Sequence, residues 1–270
     1  MTPLDVDLSS PVARITFCAA AGKAPTAGSE LLEELEVALD TLATLSSVER
    51  LLLLSESKSA FLVSGPDSHS LAGDPVRFEQ WVRRGRRALE RLAALPFPTV
   101  ACLGAPALGA GFELALACSV RVMAHSSAGV GFLPVEGWRM PVWGGSVRLS
   151  RRLGPTLAWE VMRSGALVPP KLAARWGLVD ALAPVEQLEA LALRQRPRPP
   201  RWPWIERWLW ALPGGAGLLI RRLEARAGQS SGVDRVLLDQ VRRSLTWPLD
   251  EALEEEGRAA LALAASKFRQ

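Results

Sequence analysis

Two kinds of hydrophobic pattern take turns along most of the chain. Short runs rich in apolar residues occur at 51–54, 99–103 and 120–124, as is typical of strands buried on both faces of a sheet. The stretches 29–45 and 78–95 instead repeat apolar residues every three or four positions, which indicates amphipathic helices. Strands that alternate with helices predict βαβ units, and therefore an α/β fold with a mostly parallel sheet.

Local residue types suggest where several elements begin and end. Ser29 is the predicted N-cap of the first helix, and Pro96 and Pro98 stop the helix before them. Gly177 is the predicted stop of a short helix at 172–176. Further elements are predicted as strands at 14–18 and 178–183, and as helices at 112–118, 144–152 and 155–163.

A change in composition divides the predicted core from a helical tail. The stretch 194–203 reads RQRPRPPRWP, and its proline content indicates a stiff linker. The chain beyond it has helical patterns, interrupted at 213–215, 228–232 and Pro248. The predicted organisation is a core at 1–193, a linker at 194–203 and a helical C-terminal region at 204–270.

Composition narrows the class of protein. Of 270 residues, 49% are hydrophobic and 22% charged, which suits a large core rather than disorder. The net charge of +4 is compatible with an anionic ligand, but a solvated surface is the preferred explanation. The three cysteines lack metal-ligand spacing and are an odd number, which argues against a zinc site or a disulfide framework and for a reducing compartment.

The sequence also argues against secretion, against a membrane-spanning segment and against a nucleic-acid partner. The N-terminus lacks the basic and apolar regions of a signal peptide, and no run of about 18 apolar residues predicts a spanning helix. The arginine-rich stretch 83–87 has no interleaved aromatic residues and no nucleic-acid-binding motif. We therefore expect a cytoplasmic protein without a transmembrane segment or a nucleic-acid partner.

The most informative stretch places a carboxylate beside free backbone amides. Small residues crowd 104–111, where their lack of bulk lets a ligand approach the backbone. The predicted helix begins near Phe112, and the amides of a helix N-terminus have no partner within the helix. Glu113 lies in its first turn. This combination suits a site that stabilises a developing oxyanion.

Three segments, in the same order, resemble one family. PTVACLGAPALGAGFELALACSVRVMA is similar to the central segment of the crotonase superfamily, in which an apolar strand leads to A-L-G-G-G-x-E-L-A-L-A-C-D. MPVWGGSVRLSRRLG resembles the family's I-P-G-x-G-G-T-x-R-L-x-R-x-x-G, and GALVPPKLAARWGLVDALAP resembles G-x-x-x-x-A-x-E-A-x-x-x-G-L-V-x-x-V-x-P. The chain is thus identified as resembling the enoyl-CoA hydratase/isomerase family.

The resemblance implies a fold and an activity. The fold would be the crotonase (ClpP-like) spiral of ββα units with a helical C-terminal region. The ligand would be an acyl-CoA thioester, and the activity hydration of a 2-enoyl-CoA in fatty-acid β-oxidation or related metabolism. CoA would arrive as part of the substrate, with no metal or other cofactor, and the protein would form a homotrimer or hexamer.

The tail carries a fainter similarity of its own. PWIERWLWALPGGAGLLIRR and PLDEALEEEGRAALALAAS look like the segment that closes the hydratase part of the multifunctional fatty-acid oxidation α subunit. This likeness implies a thiolase-like or dehydrogenase partner.

The family holds the thioester oxygen with two backbone amides. One would be the amide of Ala110, three residues before Glu113, where the family usually has glycine. The other would be Gly65 when the loop pattern A-F-x-A-G-A-D is matched without a gap, and Pro66 with one insertion. Proline has no N–H to donate, and the ungapped match is preferred. The predicted substrate-binding residues beside these amides are Phe61, Ser64, Pro66 and Gly109.

Hydratases of this family use two glutamates around a water molecule. Glu113 matches the first. The second normally stands in G-x-P-E, but alignment on Pro134 places Val135 there, and alignment back from the Gly144–Gly145 pair places Pro134 there. Glu136 is one or two positions out of register and is the candidate second carboxylate.

The departures from the family pattern leave other activities open. A single carboxylate suffices for double-bond isomerisation, so an enoyl-CoA isomerase is the first alternative. A catalytically degenerate paralogue that binds acyl-CoA or a partner subunit is the second. A peripheral membrane protein that uses the Trp-rich stretch 202–210 is the third.

Overall fold

A six-stranded sheet forms the centre of the computed structural model, which describes residues 2–20, 22–64, 74–132, 140–227 and 232–267. The strands of this part of the chain are β1 (Leu4–Asp7), β2 (Val12–Phe17), β3 (Arg50–Ser55), β4 (Thr99–Leu103), β5 (Ala107–Leu108), β6 (Val120–Ala124), β7 (Val130–Gly131) and β8 (Ala181–Ala183). The central sheet has the order β1–β2–β3–β4–β6–β8, in which only the β1–β2 pair is antiparallel. Strands β5 and β7 form a separate parallel pair.

Eleven α-helices surround the sheets in the same described residues. They are α1 (Ser29–Thr44), α2 (Pro75–Ala94), α3 (Ala110–Ala117), α4 (Gly145–Leu153), α5 (Pro155–Ser164), α6 (Pro170–Trp176), α7 (Leu188–Arg194), α8 (Trp204–Ala211), α9 (Gly215–Ala227), α10 (Gly232–Thr246) and α11 (Leu249–Lys267). None of these helices has the length and apolar character needed to cross a membrane.

The prediction of an α/β fold with a mostly parallel sheet is confirmed. Leu51 and Leu53 of β3 face one core cluster, whereas Leu52 between them faces a second cluster that α7 covers. A strand covered on both faces must be apolar at consecutive positions, which explains why the unbroken apolar runs predict these strands well.

Two helix starts differ from the sequence prediction. The prediction of Ser29 as an N-cap is wrong, because the cap is Gly28, in an extended conformation and without a side-chain hydrogen bond. Helix α2 begins three residues earlier than predicted, at Pro75, because the Asp74 carboxylate accepts hydrogen bonds from the next free amides. A proline at the first helical position costs nothing there, because that N–H has no partner within the helix.

The C-terminal helices pack on the rest of the chain. Buried residues of α9, α10 and α11 belong to the same core cluster as the strands, among them Leu223, Val241 and Ala260. A small cluster of Val147, Ala252 and Leu253 brings α11 to the start of α4. The boundaries at 193 and 203 stay predictions, but α11 reaches the part of the molecule where the candidate site lies.

Candidate active site

The turn before α3 has a backbone shape that suits glycine. Gly109 precedes the helix with φ +51°, in the region that residues with a Cβ rarely adopt. Its N–H donates to the carbonyl of Gly131, at 3.1 Å, and its carbonyl accepts from the N–H of Glu113, at 2.9 Å. The turn thus links the small β5–β7 sheet to the first turn of the helix that carries Glu113.

The Ala110 amide, a predicted oxyanion donor, is close to the predicted substrate-binding residue Ser64. The N–H of Ala110 donates to Ser64 Oγ at 3.2 Å. The same hydroxyl would lie 3.0 Å from a Cβ added to Gly109. The structure therefore brings Ser64, Gly109 and Ala110 together. The Ser64 hydroxyl accepts the hydrogen bond of the amide that, by the family resemblance, would bind the thioester oxygen.

The other predicted site residues are placed less directly. Phe61 is fully buried, with its ring edge-on to Phe17 at 5.4 Å between centroids, so its contact with a substrate stays a prediction. Gly65, Pro66 and Glu136 lie outside the described residues, and their roles also stay predictions.

Glu113 is a buried carboxylate held through one oxygen. The residue is only 3% exposed to solvent. Oε1 accepts hydrogen bonds from the amides of Val142, Trp143 and Gly145, at 3.1, 2.7 and 2.9 Å. Oε2 accepts none from the described part of the chain. One oxygen is therefore pinned by three donors, and the other remains available for proton transfer.

A second buried carboxylate, Glu256 of α11, meets the same turn. Its Oε1 accepts from the Gly144 amide at 2.6 Å. Its Oε2 accepts from the amides of Ser146 and Val147, at 2.9 and 3.2 Å, and from the Ser146 hydroxyl. Each of the six consecutive amides of residues 142–147 therefore donates to Glu113 or to Glu256.

The sequence prediction missed Glu256, although its surroundings carry a weak indication. It stands in a run of three glutamates, and only Glu256 of the three is buried. Ala252 and Ala260, four residues to either side, are buried too. Residues four apart share one face of a helix, so this glutamate belongs to the apolar face of α11.

The two carboxylates disturb each other's titration. Burial raises the pKa of Glu113 to about 8, the negative charge of Glu256 adds to this rise, and the three amides oppose it. Burial also raises the pKa of Glu256, against the Ser146 hydroxyl, the amides and the nearby Arg148 guanidinium. Two adjacent buried carboxylates hold one proton more readily than two negative charges.

The hydrogen-bond pattern favours a proton on Glu113 over a proton on Glu256. Both oxygens of Glu256 accept hydrogen bonds from donors, and Arg148 favours the charged form of Glu256. A neutral Glu113 would keep Oε1 as its carbonyl oxygen, facing three amides, and carry the proton on Oε2. That arrangement suits a general acid at neutral pH.

Comparison with known proteins agrees with this architecture. The family model for enoyl-CoA hydratase/isomerase matches residues 9–197. An enoyl-CoA hydratase from Bacillus anthracis is 24% identical, with a TM-score of 0.65 over 95% of this chain and 89% of its own. An enoyl-CoA hydratase/isomerase from Mycobacterium paratuberculosis is 19% identical, with a TM-score of 0.68 over 99% and 97%. DspI from Pseudomonas aeruginosa is 20% identical, with a TM-score of 0.67 over 97% and 89%.

The fold and the buried glutamate beside a glycine turn define an α/β protein of the crotonase class. The match covers most of the chain, and the chain belongs to the enoyl-CoA hydratase/isomerase family. The crotonase fold expected from the three sequence segments is confirmed. Identities of 19 to 24% with the solved structures establish the fold and leave the reaction to be inferred from the site.

Proposed function

We propose that this protein adds water across the double bond of a 2-enoyl-CoA thioester. The proposal rests on the position of Glu113. This buried carboxyl group accepts hydrogen bonds from three amides through one oxygen, and it lies on a helix that begins at Ala110, whose amide is the predicted oxyanion donor. An acid and an amide donor on one helix turn are what hydration needs, because the thioester oxygen gains charge while a carbon gains a proton.

The proposed reaction combines Glu113 and the Ala110 amide with the predicted roles of Gly65 and Glu136. The thioester oxygen replaces the Ser64 hydroxyl as the acceptor of the Ala110 N–H, and the Gly65 amide is the second donor. Glu136 removes a proton from water, whose oxygen bonds to the β-carbon, and the α-carbon takes the proton from Glu113 Oε2. The net change is addition of H and OH across the double bond, and exchange with solvent restores both carboxyl groups.

The setting of this reaction is part of the same proposal. Fatty-acid β-oxidation or related metabolism would supply the substrate, in the cytoplasm, and the protein would act as a homotrimer or hexamer. The likeness of the tail to the closing segment of the multifunctional α subunit supports a thiolase-like or dehydrogenase partner. CoA enters with the substrate, and the proposed chemistry needs no further cofactor.

The test is turnover of crotonyl-CoA and of a longer 2-enoyl-CoA by the purified protein. Glu113→Gln keeps the acceptor oxygen for the three amides but removes the proton, so we expect hydration to fall by about 100-fold or more. Hydration by Glu136→Gln should fall by a similar factor if Glu136 is the second carboxylate. Glu254→Gln is the control, because Glu254 lies exposed on α11 and pairs only with Arg258 among the described residues.

The result separates hydration from the alternatives. Turnover of a 3-enoyl-CoA to the 2-enoyl isomer, without hydration, would replace the proposal with isomerisation by one carboxylate. Binding of CoA thioesters without any turnover would identify a paralogue that has kept the scaffold and lost the reaction.

A further inference from the structure

Helix α11 lies beyond the part of the chain that the family model matches, yet it delivers a buried charge to the candidate site. The family match ends at residue 197, whereas Glu256 is fully buried against the start of α4. Burying a carboxylate away from water is costly unless donors compensate it. Four donors do so here, and all of them come from residues 144–147.

The two carboxylates divide the amides of one turn between them. Glu113 takes the amides of residues 142, 143 and 145, and Glu256 takes those of 144, 146 and 147. Because the two sets of amides are interleaved along one short segment, a shift of the turn toward one carboxylate changes the donors offered to the other. The orientation of Glu113 thus depends on a residue 143 positions later in the chain.

The charges around this pair are unbalanced. Arg148 of α4 donates to the Trp143 carbonyl at 2.7 Å, and its charge acts on both carboxylates. From α2, Glu90 acts on Arg148 and is paired with Arg86, at 3.4 Å. One guanidinium facing two buried carboxylates leaves one negative charge in excess, and a proton on one carboxylate removes it.

We propose that Glu256 is a positioning residue for Glu113, which it orients through the turn 142–147 and keeps in its proton-carrying form through its charge. The proposal deepens the proposed function, since it supplies the reason why Glu113 can donate a proton. It makes the C-terminal helix a necessary part of the site rather than a cover for the core.

The first test does not depend on turnover. The carboxyl carbons of the intact, glutamate-labelled protein are titrated by NMR, and the Glu113 signal is assigned by its loss in Glu113→Gln. We expect a midpoint of about 8 for Glu113 in the wild type. In Glu256→Gln the midpoint should fall by about one unit or more, because the neighbouring negative charge is gone. Glu254→Gln should leave it in place.

An unchanged or raised midpoint in Glu256→Gln would overturn the proposal. If that variant does not fold, Ser146→Ala serves instead. It removes only the hydroxyl that donates to Glu256, which makes the charged form of Glu256 less favourable. The proton should then move toward Glu256, with a smaller fall in the Glu113 midpoint, and no movement would count against the proposal.

The second test uses the pH dependence of hydration. A wild-type enzyme that needs protonated Glu113 should lose kcat as the pH rises through about 8. In Glu256→Gln that loss should occur at lower pH, with kcat reduced by about 10-fold to 100-fold and a similar KM, the scale of a displaced catalytic group. Unchanged kcat and an unmoved pH profile would overturn the proposal. Absence of turnover in the wild type would defeat the proposed function, while the NMR titration would still decide the role of Glu256.

Discussion

Two buried clusters of charged side chains in this protein differ in how their charges are paired. The Asp180 cluster consists of Arg121, Arg152 and Asp180. The Glu113 cluster consists of Glu113, Arg148 and Glu256. Both include an arginine of α4, and both combine charges that would be costly to bury alone.

Opposite charges meet directly in the Asp180 cluster. Asp180 pairs with Arg121 at 3.1 Å and with Arg152 at 2.7 Å, and it also accepts from the Arg121 amide at 2.9 Å. The remaining Arg121 donors bond to backbone carbonyls, including that of Leu178 at 2.7 Å. This cluster joins β6 to the segment before β8, and one carboxylate pairs directly with both guanidinium groups.

The Glu113 cluster keeps like charges together instead. Its carboxylates accept hydrogen bonds chiefly from backbone amides, and the structure shows no ion pair within 4 Å among its three described members. Burial together with the neighbouring Glu256 charge raises the pKa of Glu113, whereas the carboxylate of the Asp180 cluster makes direct ion pairs with two guanidinium groups. The comparison suggests that one cluster serves stability and the other serves proton transfer.

The largest expected effect on stability comes from Asp180→Asn. The change leaves the buried Arg121 without its counter-charge, so the free energy of unfolding should fall by about 3–5 kcal/mol. Urea denaturation measures it. Asp239→Asn is the matched control, because its ion pairs with Arg242 and Arg243 are partly exposed and worth less than about 1 kcal/mol. Equal losses in the two variants would remove the distinction between buried and exposed pairs.

A large effect on activity should follow from Gly145→Ala. An added Cβ would lie 2.7 Å from Glu113 Oε1 and 2.8 Å from Pro141 Cβ, so the Glu113 carboxylate must shift relative to the turn before α4. Hydration should fall by about 100-fold, the scale of an acid displaced by an ångström. Gly217→Ala is the control, since its Cβ would meet nothing within 4 Å, and turnover should not change. Wild-type activity in Gly145→Ala would separate Glu113 from the chemistry.

The smallest effect is expected at Ser64, on the amide side of the site. Ser64→Ala frees the Ala110 amide from its present partner, and a hydrogen bond of this kind is worth about 1 kcal/mol. A non-hydrolysable acyl-CoA analogue should therefore bind about fivefold more tightly, as calorimetry would show. Ser59→Ala, at an exposed position of the same loop, should change nothing. Weaker binding in Ser64→Ala would mean that the hydroxyl itself contacts the thioester.

Periodic patterns predicted the elements that pack on both sides. The bounds of β4 and β6 agree with the apolar runs at 99–103 and 120–124, because neither strand has a wet face. The pattern did not predict β1, where only Leu4 is buried, or β5 and β7, which have two residues each. An edge strand and a two-residue strand contain too few buried positions to show a period.

The residues of the candidate site divide in the same way. The place of Glu113 in the first turn of a helix, after a run of small residues, could be predicted from the local segment, whereas the roles of Ala110 and Gly109 were predicted through the family resemblance. The hydrogen bond between Ser64 and Ala110 joins residues 46 positions apart, and the sequence did not predict it.

By itself the sequence determined the class of fold, the helix start that carries Glu113 and the small residues that open the backbone beside it. These features depend on side chains within a few positions of one another. Only the tertiary structure decided which donors hold Glu113 and which charge stands next to it. Glu256 meets Gly144 across 112 positions, and a contact of that range depends on how helices pack rather than on any local pattern.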